Sequence, residues 1–211
     1  RFFAAFGAGG VIYLTSLIFN NLGLSATDIG LGFTISAIIG TVTRLFTGNY
    51  LNKTGKIQFP IITSSILSIA ASLCLIFSRD TFLYIIGQSL VGAAAGIYWP
   101  AAEFGVPYFC HPIETRKAYA LVRSSEALGI FLGVFLGGYM TNFLYSKSIF
   151  INDIFCMLVI TYLISRNSSS IKRNLENFQK KLVDPINQGQ LKWNKNSTII
   201  ILSILLITTS L

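Results

Sequence analysis

Four charged residues lie inside long apolar stretches: Arg44, Glu103, Arg123 and Glu126. A charge near the centre of a bilayer costs at least about 2.5–3.5 kcal/mol, so each needs a partner, a route to the surface or a function. Arg123 and Glu126 are spaced i, i+3, which sets them on one helical face within reach of each other. Glu103 ends the stretch Tyr98-Trp99-Pro100-Ala101-Ala102-Glu103, and a chain folding back at Pro112 brings it level with Arg123. Two acids and one base on adjacent helices predict a Glu103–Arg123–Glu126 cluster. Its chemistry is proton coupling, recognition of charge on a solute, or a purely structural ion network. Arg44 has two readings, a side chain reaching back to the near membrane face or a cavity residue. Tyr98 and Trp99 read as cavity aromatics or as packing and interface residues. Tyr13 marks the first stretch as a further cavity candidate. Asn20 and Asn21 read as residues closing that stretch. Asp153 is expected near the opposite interface, with no role.

Other chemistries find no support in the residue types. Cys74, Cys110 and Cys156 are far apart with no CxxC pairing, and His111 is the only histidine, so no zinc pattern exists and no metal is expected. P-loop, dinucleotide-glycine and nucleophile-elbow motifs are missing, so neither a cofactor nor an enzymatic function is expected. The net charge of +8 sits between apolar stretches rather than on a basic face, which argues against nucleic acid as a partner.

The elements that must hold these residues are membrane-spanning helices. Of the 211 residues, 53% are hydrophobic and only 11% charged, where a soluble domain carries about 25% charged residues. Six apolar runs, near 2–22, 27–50, 57–78, 81–104, 118–144 and 148–165, are each long enough to span a bilayer, and a seventh begins near Ser197. This predicts a six-helix unit over 1–165, a polar and basic linker over 166–196, and the start of a seventh helix over 197–211. Both ends read as cut, so a carboxy-terminal half is expected beyond this piece. With the amino terminus placed in the cytoplasm, the inside segments hold twelve Lys and Arg and the outside loops only Arg79 and Lys147. That bias predicts the amino terminus and the linker on the cytoplasmic side of the plasma (inner) membrane. A shift of 89 residues lays the second run on the fifth, matching Ser36 to Ser125, Gly40 to Gly129, Gly48 to Gly137 and Tyr50 to Tyr139. Six helices then read as three plus three, and an odd-numbered unit repeated in a membrane is inverted.

Two short segments carry a family resemblance. Gly48-Asn49-Tyr50-Leu51-Asn52-Lys53-Thr54-Gly55-Lys56 resembles the signature loop of the major facilitator superfamily, G-x-x-x-D-[RK]-x-G-[RK]. Gly48, Lys53, Gly55 and Lys56 match, and Asn52 stands where the family favours aspartate, which weakens a charge-based latch. Gly48 is expected to allow close helix contact and Gly55 a tight turn. Pro112-Ile113-Glu114-Thr115-Arg116-Lys117-Ala118 resembles the family's P-x-E-x-R-x-A loop, and the glycines from Gly129 to Gly138 resemble its fifth helix. Val134 follows the middle glycine where antiporters often have proline. Gln88 precedes Gly92 where the family often has arginine.

The resemblance implies an all-α transmembrane fold: a six-helix bundle with a 3+3 inverted repeat, plus the start of a seventh helix. It implies secondary active transport of a small solute by alternating access, possible proton coupling and a slight lean to efflux. It places the gating loop at Gly48, Asn52, Lys53, Gly55, Lys56, Glu114 and Arg116. Two rivals are a non-transporting sensor or scaffold on the same fold and the membrane domain of an ATP-driven exporter.

Overall fold

A computed structural model describes residues 1–109, 114–143 and 146–167. Arg166 and Asn167, expected to open the linker, instead end α6, and the rest of the linker and the expected seventh helix, like Cys110, His111 and Pro112, lie outside the described residues. Within them the chain forms six helices: α1 (Phe2–Asn21), α2 (Ala26–Thr54), α3 (Gln58–Phe77), α4 (Thr81–Phe109), α5 (Thr115–Phe143) and α6 (Ser148–Arg166). All six are long and apolar enough to cross a membrane.

Local chemistry sets several boundaries. Ser25 caps α2 by accepting a hydrogen bond from the Asp28 N–H at 3.1 Å. Asp80 does the same for α4, accepting from Leu83 N–H at 3.0 Å. Two ends differ from the sequence reading. α2 runs on to Thr54, so most of the signature segment is helix and only its last residues turn. Gly55 closes it at φ 62°, a left-handed conformation glycine adopts without a Cβ penalty, with its N–H on the Leu51 carbonyl. α4 continues past Glu103 through Pro100 and Pro107 to Phe109. Neighbouring helices and local backbone adjustment make such prolines tolerable in membrane helices.

The helix pairings carry the expected repeat. α1 packs on α5 and α6, α4 packs on α2 and α3, and α3 packs on α6. Exchanging the first three helices with the last three leaves this set of pairs unchanged. The two main crossings are built alike, from glycine. A Cβ on Gly40 would stand 3.0 Å from the Gly92 carbonyl oxygen, and one on Gly129 would stand 2.6 Å from that of Phe2. Gly92 lies still closer to Ser36, and Gly133 to Phe6. With little hydrophobic drive between helices in lipid, such close backbone approach supplies the packing. Gly48 breaks the pattern: a Cβ there meets nothing within 4 Å, so it makes no close helix contact here, while Thr47 and Leu51 on either side of it are buried.

Two apolar clusters fill the ends. Leu51, Ile57, Ile61, Tyr98, Ala101 and Met157 pack together near Arg1. Phe19, Leu75, Tyr84, Ile149 and Phe150 pack at the opposite end. There Lys147 donates to the carbonyls of Ile76 (2.8 Å) and Ser78 and lies over the Phe19 ring. It supplies the positive charge that favours a helix C-terminus, and α3 has none of its own. Burial, then the neighbouring charge of Arg79, hold the Lys147 ammonium below its usual pKa. α2 and α5 are the least buried helices, and α5 buries only Ala118, Gly129, Gly133 and Gly137.

Candidate functional site

Between the two apolar clusters lies a cavity of about 410 Å³, walled by α1, α2, α3, α4 and α6. Its size falls within the range of small-molecule sites. Small residues make the space: Ala4 and Ala8 on α1, Ala37 and Gly40 on α2, Gly92, Ala95 and Gly96 on α4. Tyr98 and Trp99 stand in its wall, ring against ring at 5.2 Å and 83°, and Arg44 lines it from α2. Arg44 makes no ion pair with a carboxylate among the described residues.

Beside Trp99 the charged residues close into a ring. Arg123 reaches Glu103, and it reaches Glu126 at 3.2 Å. Arg1 completes the circuit, 3.3 Å from Glu103 and 3.4 Å from Glu126, with its guanidinium 5.3 Å from the Trp99 ring centre. Two bases and two acids alternate around the ring. The Arg1 and Glu126 side chains are 7% and 13% exposed, so their edge of the ring is dry. Arg123 and Glu103 form the wetter edge. The Tyr119 hydroxyl donates to the Glu103 carbonyl at 3.3 Å and ties α5 to α4 beside the ring.

The structure brings together Glu103, Arg123 and Glu126, and it places Arg44, Tyr98 and Trp99 on the cavity. It does not bring Tyr13 there. The cavity face of α1 is Ala4, Ala8, Val11 and Ile12, and the next residue turns about 100° away. Tyr13 is 58% exposed and sits with Phe131 and Phe135 on the α5 flank. The signature residues are also apart from the cavity. Asn52, Lys53 and Lys56 are exposed, and Glu114 pairs locally with Arg116 at 2.9 Å and Lys117 at 3.9 Å.

Two residues read as marginal in the sequence belong to the cavity. Asp153 is not at an interface: it is 2% exposed, lines the cavity, and its Oδ2 accepts from Ser68 at 2.9 Å and Ser72 at 2.8 Å. Gly7 makes its room, since a Cβ there would stand 2.7 Å from Asp153 Oδ1. Gln88 is 1% exposed and also lines the cavity. The available signal for Asp153 was an acid inside an apolar run, which is a functional candidate by default. Among the described residues no His, Cys, Asp and Glu group is arranged to hold a metal.

Comparison with known proteins places this geometry. The family model for the Major Facilitator Superfamily matches residues 1–211. One relative, an "uncharacterized MFS-type transporter YttB" of Bacillus subtilis (strain 168), is 26% identical over 155 residues, 72% of this chain. Another, the "purine ribonucleoside efflux pump NepI" of Escherichia coli O127:H6, is 21% identical over 130 residues, 62% of this chain. The matched stretch spans 38% of the first relative and 33% of the second.

Proposed function

The chain belongs to the Major Facilitator Superfamily, and on that footing we propose that it is part of a secondary transporter that moves a small solute across the membrane by alternating access. The cavity carries this reading: about 410 Å³ of space at membrane depth, walled by five helices and flanked by a closed ring of charges. Arg44, Tyr98 and Trp99 contact the solute. Glu103 and Glu126, each held by two arginines, take up and release the coupling proton. The exposed faces of α2 and α5 receive the carboxy-terminal half of the protein, against which this bundle rocks. The amino terminus lies in the cytoplasm, as the bias of Lys and Arg favours, in the plasma (inner) membrane. Asn52, Lys53 and Lys56 then gate the cytoplasmic face together with Glu114 and Arg116, with Asn52 acting through hydrogen bonds rather than charge. Transport runs outward, a direction favoured by the relative that is an efflux pump.

The test is uptake into proteoliposomes made with the full-length protein, using a panel of labelled solutes headed by purine ribonucleosides. Saturable flux supports transport and excludes a scaffold, and its absence for every solute contradicts the reading. A pH gradient is expected to drive accumulation in the wild type. Accumulation that persists in both Glu126→Gln and Arg123→Gln removes the coupling role of the ring.

A further inference from the structure

We propose that the cavity takes a monovalent organic anion, with a carboxylate held by Arg44 and an aromatic or apolar body laid against Tyr98 and Trp99. This rests on the transport reading above and names the class of solute. Helices α2 and α4 run in the same direction, because their contacts advance together. A Cβ on Gly92 would meet Ser36, and one on Gly96 would meet Gly40 and Thr43. Arg44 lies one residue past the Thr43–Gly96 contact and Trp99 three residues past it. At 1.5 Å of rise per residue the two differ in height by only about 3 Å. Each also lies on the cavity side of its helix, Arg44 with Ala37 and Thr41, Trp99 with Gly92 and Ala95. The arginine and the aromatic pair therefore border the same part of one space.

Arg44 and Asp153 are the charged residues among those that line the cavity. They are not presented equally. Asp153 is 2% exposed, its Oδ2 accepts from Ser68 and Ser72, and its Oδ1 lies against Gly7. Arg44 is exposed and pairs with no carboxylate among the described residues. The nearby ring holds two bases and two acids and adds no net charge. The charge offered to a ligand is thus positive, and an arginine cannot shed it. Arg44 stands ten residues before Thr54, the end of α2, or about 15 Å inside the helix. An unpaired charge at that depth is costly, and a ligand anion offsets it. The planar guanidinium fork matches a carboxylate with two parallel hydrogen bonds. One carboxylate balances the single positive charge, whereas a dianionic phosphate would leave a charge over. Phe33, Val91 and Met157 extend the apolar wall for the rest of the solute.

The probe is 2-naphthoate, and its control is 2-naphthamide, which has the same shape without the charge at neutral pH. Binding is measured by titration calorimetry on the full-length protein in phosphatidylcholine nanodiscs, with empty nanodiscs subtracted. Naphthoate is expected to bind saturably and at least about tenfold more tightly than the amide, the gain expected of hydrogen bonds to a charged group. The dianion 2-naphthyl phosphate should bind more weakly than the carboxylate. In Arg44→Gln the preference for naphthoate over naphthamide should collapse while the affinity for the amide holds. An arginine that reaches the membrane face, or pairs with the carboxy-terminal half, would leave that preference intact. Equal binding of naphthoate and naphthamide by the wild type overturns the proposal without any variant. So does a preference that survives Arg44→Gln, tighter binding of the phosphate, or no naphthoate binding. The transport reading falls separately, by absence of saturable flux for any solute.

Discussion

The charged ring and the Asp153 site in the cavity wall handle buried polarity in opposite ways. In the ring every charge has a counter-charge on each side, and the circuit joins α1, α4 and α5 with balanced signs. At the other site a lone acid is held by two hydroxyls. The first arrangement is balanced in charge, although Nε and Nη1 of Arg1 are buried there without a hydrogen-bond partner among the described residues. The second meets its acid with neutral hydroxyls alone. The difference is one of charge balance: opposed charges join the helices at the ring, and neutral donors hold the acid at the other site.

Breaking the ring at its dry edge is expected to have the largest effect on stability. Glu126→Gln removes one of the two carboxylates beside buried Arg1 and leaves it Glu103, so the expected cost is about 1–3 kcal/mol, below that of a fully orphaned buried charge. Arg1→Gln in the same chain should restore a part of this, about 0.5–3 kcal/mol, in a double-mutant cycle read by thermal unfolding in detergent. Strict additivity would mean that the two side chains do not interact.

Lys147→Met comes next, since it removes two hydrogen bonds to the end of α3, at about 1–2 kcal/mol by the same assay. The depressed Lys147 pKa has a sign as well. Between its folded value and the ordinary 10.5, the unfolded chain binds more protons than the native one, so stability should rise with pH in that window in the wild type and be flat there in Lys147→Met.

Asp153→Asn should change stability by less than about 1 kcal/mol, because the amide oxygen still accepts from Ser68 and Ser72 and no cation is orphaned. A loss as large as that of Glu126→Gln would erase the contrast between the two sites. Smallest of all, Arg116→Ala should cost about 0–0.5 kcal/mol, because its pair with Glu114 is exposed.

The same contrast explains what the sequence made legible. Six apolar runs and their spacing give the helices, and glycines recurring in α2, α4 and α5 mark where backbones cross. Arg123 and Glu126 announce themselves by i, i+3 spacing, and Glu103 follows from folding two adjacent helices together. Arg1 did not, because an arginine ahead of an apolar run reads as an ordinary positive flank, and its partners lie on helices four and five. Asp153 was misplaced for a related reason. Its serines are 85 and 81 residues away on α3, and nothing local in α6 shows that a hydroxyl pair and a Gly7 gap await it. Tyr13 lies one residue step around α1 from the face that lines this cavity, a distinction that apolar composition on every face conceals.

The most direct test of the central claim is flux through a plugged cavity. Ala95→Trp places a large ring in the space that Ala95 helps to leave open between α1, α2 and α4. It is made in the full-length protein and compared with wild type in the same proteoliposomes, after both are shown to be folded by size exclusion and thermal unfolding. The account predicts saturable solute flux in the wild type and its loss in the folded variant. Undiminished flux in Ala95→Trp would contradict a transport route through this cavity.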